Sequence, residues 1–242
     1  MKRTAVFVLV TGLSCAPIHR AFANDANVVP DRMTEAALQA NAAPLDVQAG
    51  LREIAAVATQ RSAARLGQPG GFYRTPEFHI PLPKAMDKPV DILVKSYASS
   101  LTVEVEKAIN RAAEATAQPA GDYVLKALPT VTFADPTGAL RGPDDAVTDA
   151  LKTQIGQAFR DAMRPVVRAN LAKAGGPAAL AAMQARYESL TDRPLMDFDL
   201  ETYTLESFVT TFFDGIAHEE QSIRSRPSAR TTETLRQLFS KD

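Results

Sequence analysis

Tryptophan is absent from this chain, cysteine occurs once, at Cys15, and aromatic residues make up only 7% of 242 positions. A single cysteine excludes an intramolecular disulfide framework, so stability has to come from core packing. Few aromatics beside many alanines argue against a β-sandwich and for helices packed closely through small side chains. No stretch approaches the roughly 18 consecutive apolar residues of a membrane-spanning helix. The signatures of several enzyme classes are missing too. There is no Gly-x-Ser-x-Gly elbow, no phosphate-binding loop and no dinucleotide fingerprint. What remains is ordinary for a globular chain, with 45% hydrophobic and 23% charged residues.

The first residues form a separate module. Lys2 and Arg3 make a positive start, Ala5 to Leu13 is apolar apart from Thr11 and Gly12, and Ala21-Phe22-Ala23 is a small-x-small site. This is the pattern of a secretory signal peptide over residues 1–23, with cleavage expected after Ala23. Two other readings stay open: an N-terminal helix retained in the fold, and a lipid-modified Cys15. For the latter, Leu13 sits one place too close to the cysteine. Of the 27 basic residues, Lys2, Arg3 and Arg20 fall in the leader, leaving 24 against 28 acidic residues, net −4. A general nucleic-acid or anionic-membrane surface is therefore not expected. The mature chain is expected to be soluble, with no transmembrane segment after signal removal, in the periplasm or secreted.

The longest apolar stripe runs from Leu205 to Ile223. Leu205, Phe208, Val209, Phe212, Phe213, Ile216, Ala217 and Ile223 recur mostly at steps of three and four, which lines one side of a helix. Burying each Phe is worth roughly 1.5–3 kcal/mol. The stripe predicts a central helix, capped by Asp197 or Asp199 and closed by Arg226-Pro227, on which other helices pack. Upstream, residues 24–30 are polar and read as disordered, and 32–42 can form a short helix. Asp46 is the expected N-cap of a helix carrying Leu51, Ile54, Ala55, Ala58 and Leu66, stopped by Gly67-Gln68-Pro69-Gly70-Gly71.

Residues 72–83 hold three prolines, which exclude helix and central strand, yet they include Phe72, Tyr73, Phe78, Ile80 and Leu82. Such a segment is expected to lie across the helices as a strap. A helix carrying Met86, Val90, Leu93 and Tyr97 should follow Pro83. Ser99 or Ser100 should cap the next, with a further short helix after Pro119. Val131 and Phe133 alternate with threonine, too briefly for a sheet. Arg141 to Asp145 reads as a helix start, Pro165 as a kink or break, and Gly175-Gly176-Pro177 as a separator. A short helix with Leu235, Leu238 and Phe239 ends the chain. The expectation is an all-α domain of seven to nine helices over 24–242.

Several motifs stand out in order: Leu66-Gly67-Gln68-Pro69-Gly70-Gly71-Phe72, Ile80-Pro81-Leu82-Pro83, Asn110-Arg111-Ala112-Ala113-Glu114, Leu140 to Ala146, Phe159 to Val167, and Ala229 to Leu235. In this order they resemble the bacterial domain-of-unknown-function family 4197. The resemblance implies a helical, exported protein and carries over no activity. The family usually has a small or apolar residue where this chain has His218, so it implies no histidine-dependent mechanism.

The chemistry on offer is modest. His218-Glu219-Glu220-Gln221 starts like the helical zinc-protease motif but lacks its second histidine. Asp214 and His218 amount to half a metal site, and no metal or other cofactor is expected. Arg160, Arg164 and Arg168, spaced by four, read as a solvated row pairing with acids. The sharper expectation is that Glu219, Glu220 and Arg230 face Asn110, Arg111 and Glu114, forming a sheltered cluster able to hold a polar ligand. Two function classes follow. One is a non-enzymatic protein binding an unknown small molecule or an envelope protein, or playing an envelope-associated structural role. The alternative is a hydrolase using the carboxylate and arginine cluster.

Overall fold

A computed structural model describes residues 46–240. The leader expected at 1–23, the disordered residues expected at 24–30 and the short helix expected over 32–42 lie outside them. Eight α-helices are present among the described residues, with no strand. They are α1 (Val47–Leu66), α2 (Asp87–Lys95), α3 (Ser99–Ala127), α4 (Pro136–Arg141), α5 (Ala146–Lys173), α6 (Gly176–Thr191), α7 (Leu200–Ser225) and α8 (Glu233–Leu238). The all-α expectation holds. No helix here is long and apolar enough to cross a membrane.

The phenylalanine stripe is buried as its spacing predicts. Leu205, Phe208, Val209, Phe212, Phe213, Ile216 and Ile223 are all in the core. Phe159 of α5 is the hub of the aromatic packing. Its ring lies 5.7 Å from Phe212 and 5.1 Å from Phe213, the first stacked and the second edge-on. Phe72 of the strap reaches the same group, 6.0 Å from Phe208. Such pairs add about 0.5–1.5 kcal/mol each beyond burial. The central role is shared, however. α7 packs on α1 and α5, while the longer α3 packs on α1, α5 and α6. Val105, Ala108, Ile109, Ala112 and Ala113 form the buried side of α3, extended by Ala117 and Ala120, so much of that face carries little side-chain bulk.

α1 and α7 meet at close range. A Cβ built on Gly215 would stand 2.5 Å from the Ser62 hydroxyl oxygen and 2.9 Å from Leu66 Cδ1, so any larger residue here requires those side chains to shift. The Ser62 and Thr59 hydroxyls are buried here with no hydrogen-bond partner among the described residues.

Several boundaries differ from expectation. α3 runs unbroken through Pro119, and α5 through Pro165. Neither helix breaks, although each proline removes one main-chain donor. α3 is preceded by Ala98, which makes no side-chain cap, rather than capped by Ser99 or Ser100. A short 3₁₀ turn, Lys84–Met86, precedes α2. Tyr97 does not join the apolar face of that helix. It sits just beyond its end at φ +56°, 99% exposed. The N–H of Tyr97 bonds to the Val94 carbonyl at 3.1 Å and that of Ala98 to Leu93 at 2.8 Å. This pairing closes a helix through a left-handed residue, a place usually taken by glycine. Asp46 and Asp199 do cap their helices, accepting from Ala49 and Thr202 main-chain N–H at 3.1 and 2.9 Å.

Candidate functional site

The strap bridges α3 and α7, and α3 holds it with side chains picked out from the sequence. Asn110 is fully buried. Its Oδ1 accepts the Ile80 N–H at 3.0 Å, and its Nδ2 donates to the Ile80 carbonyl at 2.7 Å and the Glu106 carbonyl at 2.9 Å. The amide thus pairs with both main-chain groups of one strap residue, as a neighbouring strand would. One turn on, Glu114 Oε1 accepts the N–H groups of Gly70, Phe72 and Tyr73 at 3.0, 3.3 and 3.2 Å. Gly70 has φ +87°, which curls the turn so that its amides converge on one anion. His79 Nδ1 meets the Tyr73 carbonyl and Nε2 meets Glu106 Oε1, both at 3.0 Å. From α7, the Tyr203 hydroxyl donates to the Pro81 carbonyl at 2.6 Å. Burial pushes that hydroxyl's pKa up, a hydrogen bond with Ser207 pulls it partly back, and the nearby Glu106 charge adds the smallest contribution to the rise.

Arg111 lies between these two anchors in sequence but is exposed. With Gly70, Tyr73, Arg74, Lys107 and Glu114 it lines a recess of about 260 Å³. Lys107 pairs with Glu104 at 2.9 Å. That hydrogen bond holds the Glu104 carboxyl below the ordinary range, and Arg111 adds a smaller attraction. The Arg74 and Arg111 side chains form no hydrogen bond or ion pair with any described residue, although both line the recess.

The α7 residues have other partners. Glu220 is completely buried. Its carboxylate accepts the Val147 and Thr148 N–H groups at 3.0 and 2.8 Å and the Thr148 hydroxyl at 2.7 Å. Asp145 stands at the N-cap of α5 without a side-chain bond, so Glu220 caps that helix from across the core. Glu219 approaches Arg65 at 3.8 Å, and His218 lies between Glu77 and Glu219, 3.9 Å from each. Asp214 pairs with Lys152 at 3.6 Å instead of joining His218. Arg230 donates to the carbonyls of Ile223 and Arg224 at 3.2 and 2.8 Å and stacks 4.4 Å over the Phe239 ring, closing the end of α7. No hydrogen bond or ion pair among the described residues joins Glu219, Glu220 or Arg230 to Asn110, Arg111 or Glu114. The structure brings Arg111 and Glu114 to one recess and gives the other four structural partners. No group of three or more His, Cys, Asp or Glu side chains among the described residues is placed to hold a metal ion. The row on α5 pairs with acids on α7, Arg160 to Glu206 at 2.9 Å and Arg168 to Glu201 at 2.7 Å.

The motifs noticed in the sequence therefore meet pairwise. The Gly70-Gly71-Phe72 turn meets Glu114, Ile80 meets Asn110, and Leu140 of the Leu140–Ala146 segment accepts from Arg224. The model of the family described as Protein of unknown function (DUF4197) matches residues 41–240. The chain belongs to this family. No curated protein and no solved structure matches it. Within this DUF4197 chain, the recess also uses Tyr73, Arg74 and Lys107, which the sequence reading passed over. Lys107, Arg111 and Glu114, at steps of four and three, were findable as one helix face. Arg74 was not, because only the folded strap carries it to α3.

Proposed function

We propose that this DUF4197 protein is a non-enzymatic exported binding protein whose ligand presents an anionic group to the recess between the Gly70–Arg74 turn and α3. The observation that carries this reading is the pair Arg74 and Arg111, two guanidinium groups lining one recess with no ionic partner among the described residues. The guanidinium fork matches carboxylate and phosphate oxygens, and Lys107 adds a third positive charge beside it. The leader pattern at 1–23 supports an address outside the cytoplasm, with the ligand drawn from the periplasm or the envelope.

Isothermal titration with inorganic phosphate and with propionate tests the reading. We expect binding that weakens as salt rises and that is lost in Arg74→Ala/Arg111→Ala. Both side chains are exposed and form no hydrogen bond or ion pair with described residues, so that variant should keep its melting temperature. Equal binding by the parent and the double variant would defeat the proposal. So would binding by neither anion. N-terminal sequencing of protein from the periplasmic fraction checks the address, with Asn24 as the expected first residue.

A further inference from the structure

Glu114 gives the recess a second kind of handle. Arg111 and Glu114 lie three residues apart on α3, a spacing at which opposite charges ordinarily pair. Both line the same recess, as does Arg74, yet Glu114 forms no ion pair with either arginine. Glu114 Oε1 is committed to three main-chain N–H groups of the strap turn, which fixes the carboxylate against the strap. Its Oε2 accepts no hydrogen bond from any described residue. The recess is therefore lined by a carboxylate and two guanidinium groups that form no ion pair with one another among the described residues. Unpaired unlike charges in one small concavity match a ligand that carries both signs.

We infer that the ligand is a zwitterion of amino-acid size, with its carboxylate held by Arg74 and Arg111 and its ammonium group by Glu114 Oε2. This rests on the anion-binding reading above. The volume, about 260 Å³, sits at the small end of ligand sites and suits one residue rather than a long chain. Tyr73, half-buried beside the carboxylate, supplies an apolar wall for a short side chain. A free amino acid and the end residue of a short peptide share this chemistry.

Glu114→Gln separates this role from the structural one. A glutamine Oε1 still accepts from the strap amides, while its Nε2 replaces the ammonium acceptor with a donor. Calorimetry on the full mature chain would compare alanine, dialanine, propionate and ethylamine against the parent protein and Glu114→Gln. The expected result is that alanine or dialanine binds at least tenfold more tightly than propionate. Glu114→Gln should reduce that affinity to the propionate level while its melting temperature and strap proteolysis stay unchanged. Which of alanine and dialanine binds more tightly identifies the source. Propionate binding as well as alanine would overturn the zwitterion and leave the anion site standing. An undiminished affinity in Glu114→Gln would do the same. Binding by none of the four would remove both proposals.

Discussion

Glu220 and Arg224 stand one turn apart on α7 and grip each other inside the protein. Glu220 Oε1 accepts from Arg224 Nε at 3.0 Å and Nη2 at 2.7 Å, with both side chains almost completely buried. Arg224 also donates to the carbonyls of Leu140 and Ala139, so the pair fastens α7 to the end of α4 while Glu220 caps α5. Desolvating two charges is costly, and their remaining lone pairs and protons must be met. Here main-chain groups meet them.

Breaking this pair should be expensive. Glu220→Ala leaves a buried guanidinium without its partner, and we expect a loss of roughly 3–5 kcal/mol in urea unfolding. Replacing both residues, as Glu220→Gln/Arg224→Met, should recover part of that loss. About 1 kcal/mol would stay missing because the charged cap on α5 is gone. A loss in Glu220→Ala no larger than that of an exposed pair would show the charges to be hydrated.

The strap should loosen when Asn110 is changed. Asn110→Leu removes both bonds to Ile80 and leaves a buried N–H and C=O unmet, each worth about 1–3 kcal/mol. Faster exchange of the Ile80 amide and quicker protease cutting within 72–83 are the expected signs. Unaltered exchange there would mean that the aromatic contacts alone hold the segment.

Tyr97 should gain from becoming glycine. Its ring touches almost nothing, and its main chain pays for a left-handed turn that costs an ordinary residue roughly 1–2 kcal/mol. Tyr97→Gly is expected to raise the melting temperature by a few degrees, since about 1 kcal/mol is worth about 2–4 °C in a chain of this size. Phe159→Ala, at the aromatic hub, should instead cost about 3–5 kcal/mol.

Acid should act partly through the start of α7. The Thr202 hydroxyl and N–H hold the Asp199 carboxyl below its ordinary range, and Arg168 does the same to Glu201. A carboxyl whose folded pKa is depressed contributes stability that is present above its unfolded value. That contribution is lost as pH falls through the folded value. The melting temperature should therefore drop with acid from about pH 4 downward. Asp199→Asn/Glu201→Gln should flatten part of this slope. An identical slope in parent and variant would assign it to other carboxyls.

Much of the fold was legible because large apolar residues at helical spacing report their own burial. The Leu205–Ile223 stripe is of this kind, while the Asp46 and Asp199 caps were legible because a short acidic side chain before a helical pattern can accept its free N–H groups. The prolines at 119 and 165 misled because their side chains mark a disfavoured position without saying whether neighbours hold the helix together. The site was half legible. Asn110, Arg111 and Glu114 were visible as a polar row on one helix, but their separate duties depended on which strap amides came to rest against them. Glu219, Glu220 and Arg230 looked like the same kind of residue. Only tertiary contacts turned Glu220 toward α5 and Arg230 toward the end of its own helix.

The gap filled by hydrogen alone at Gly215, with the Ser62 oxygen across from it, ties distant positions into one mutational unit. A methyl group at 215 needs both the Ser62 hydroxyl and the Leu66 side chain to shift, so Ser62→Gly alone clears only part of the space. What position 215 tolerates thus depends on two residues of α1 at once.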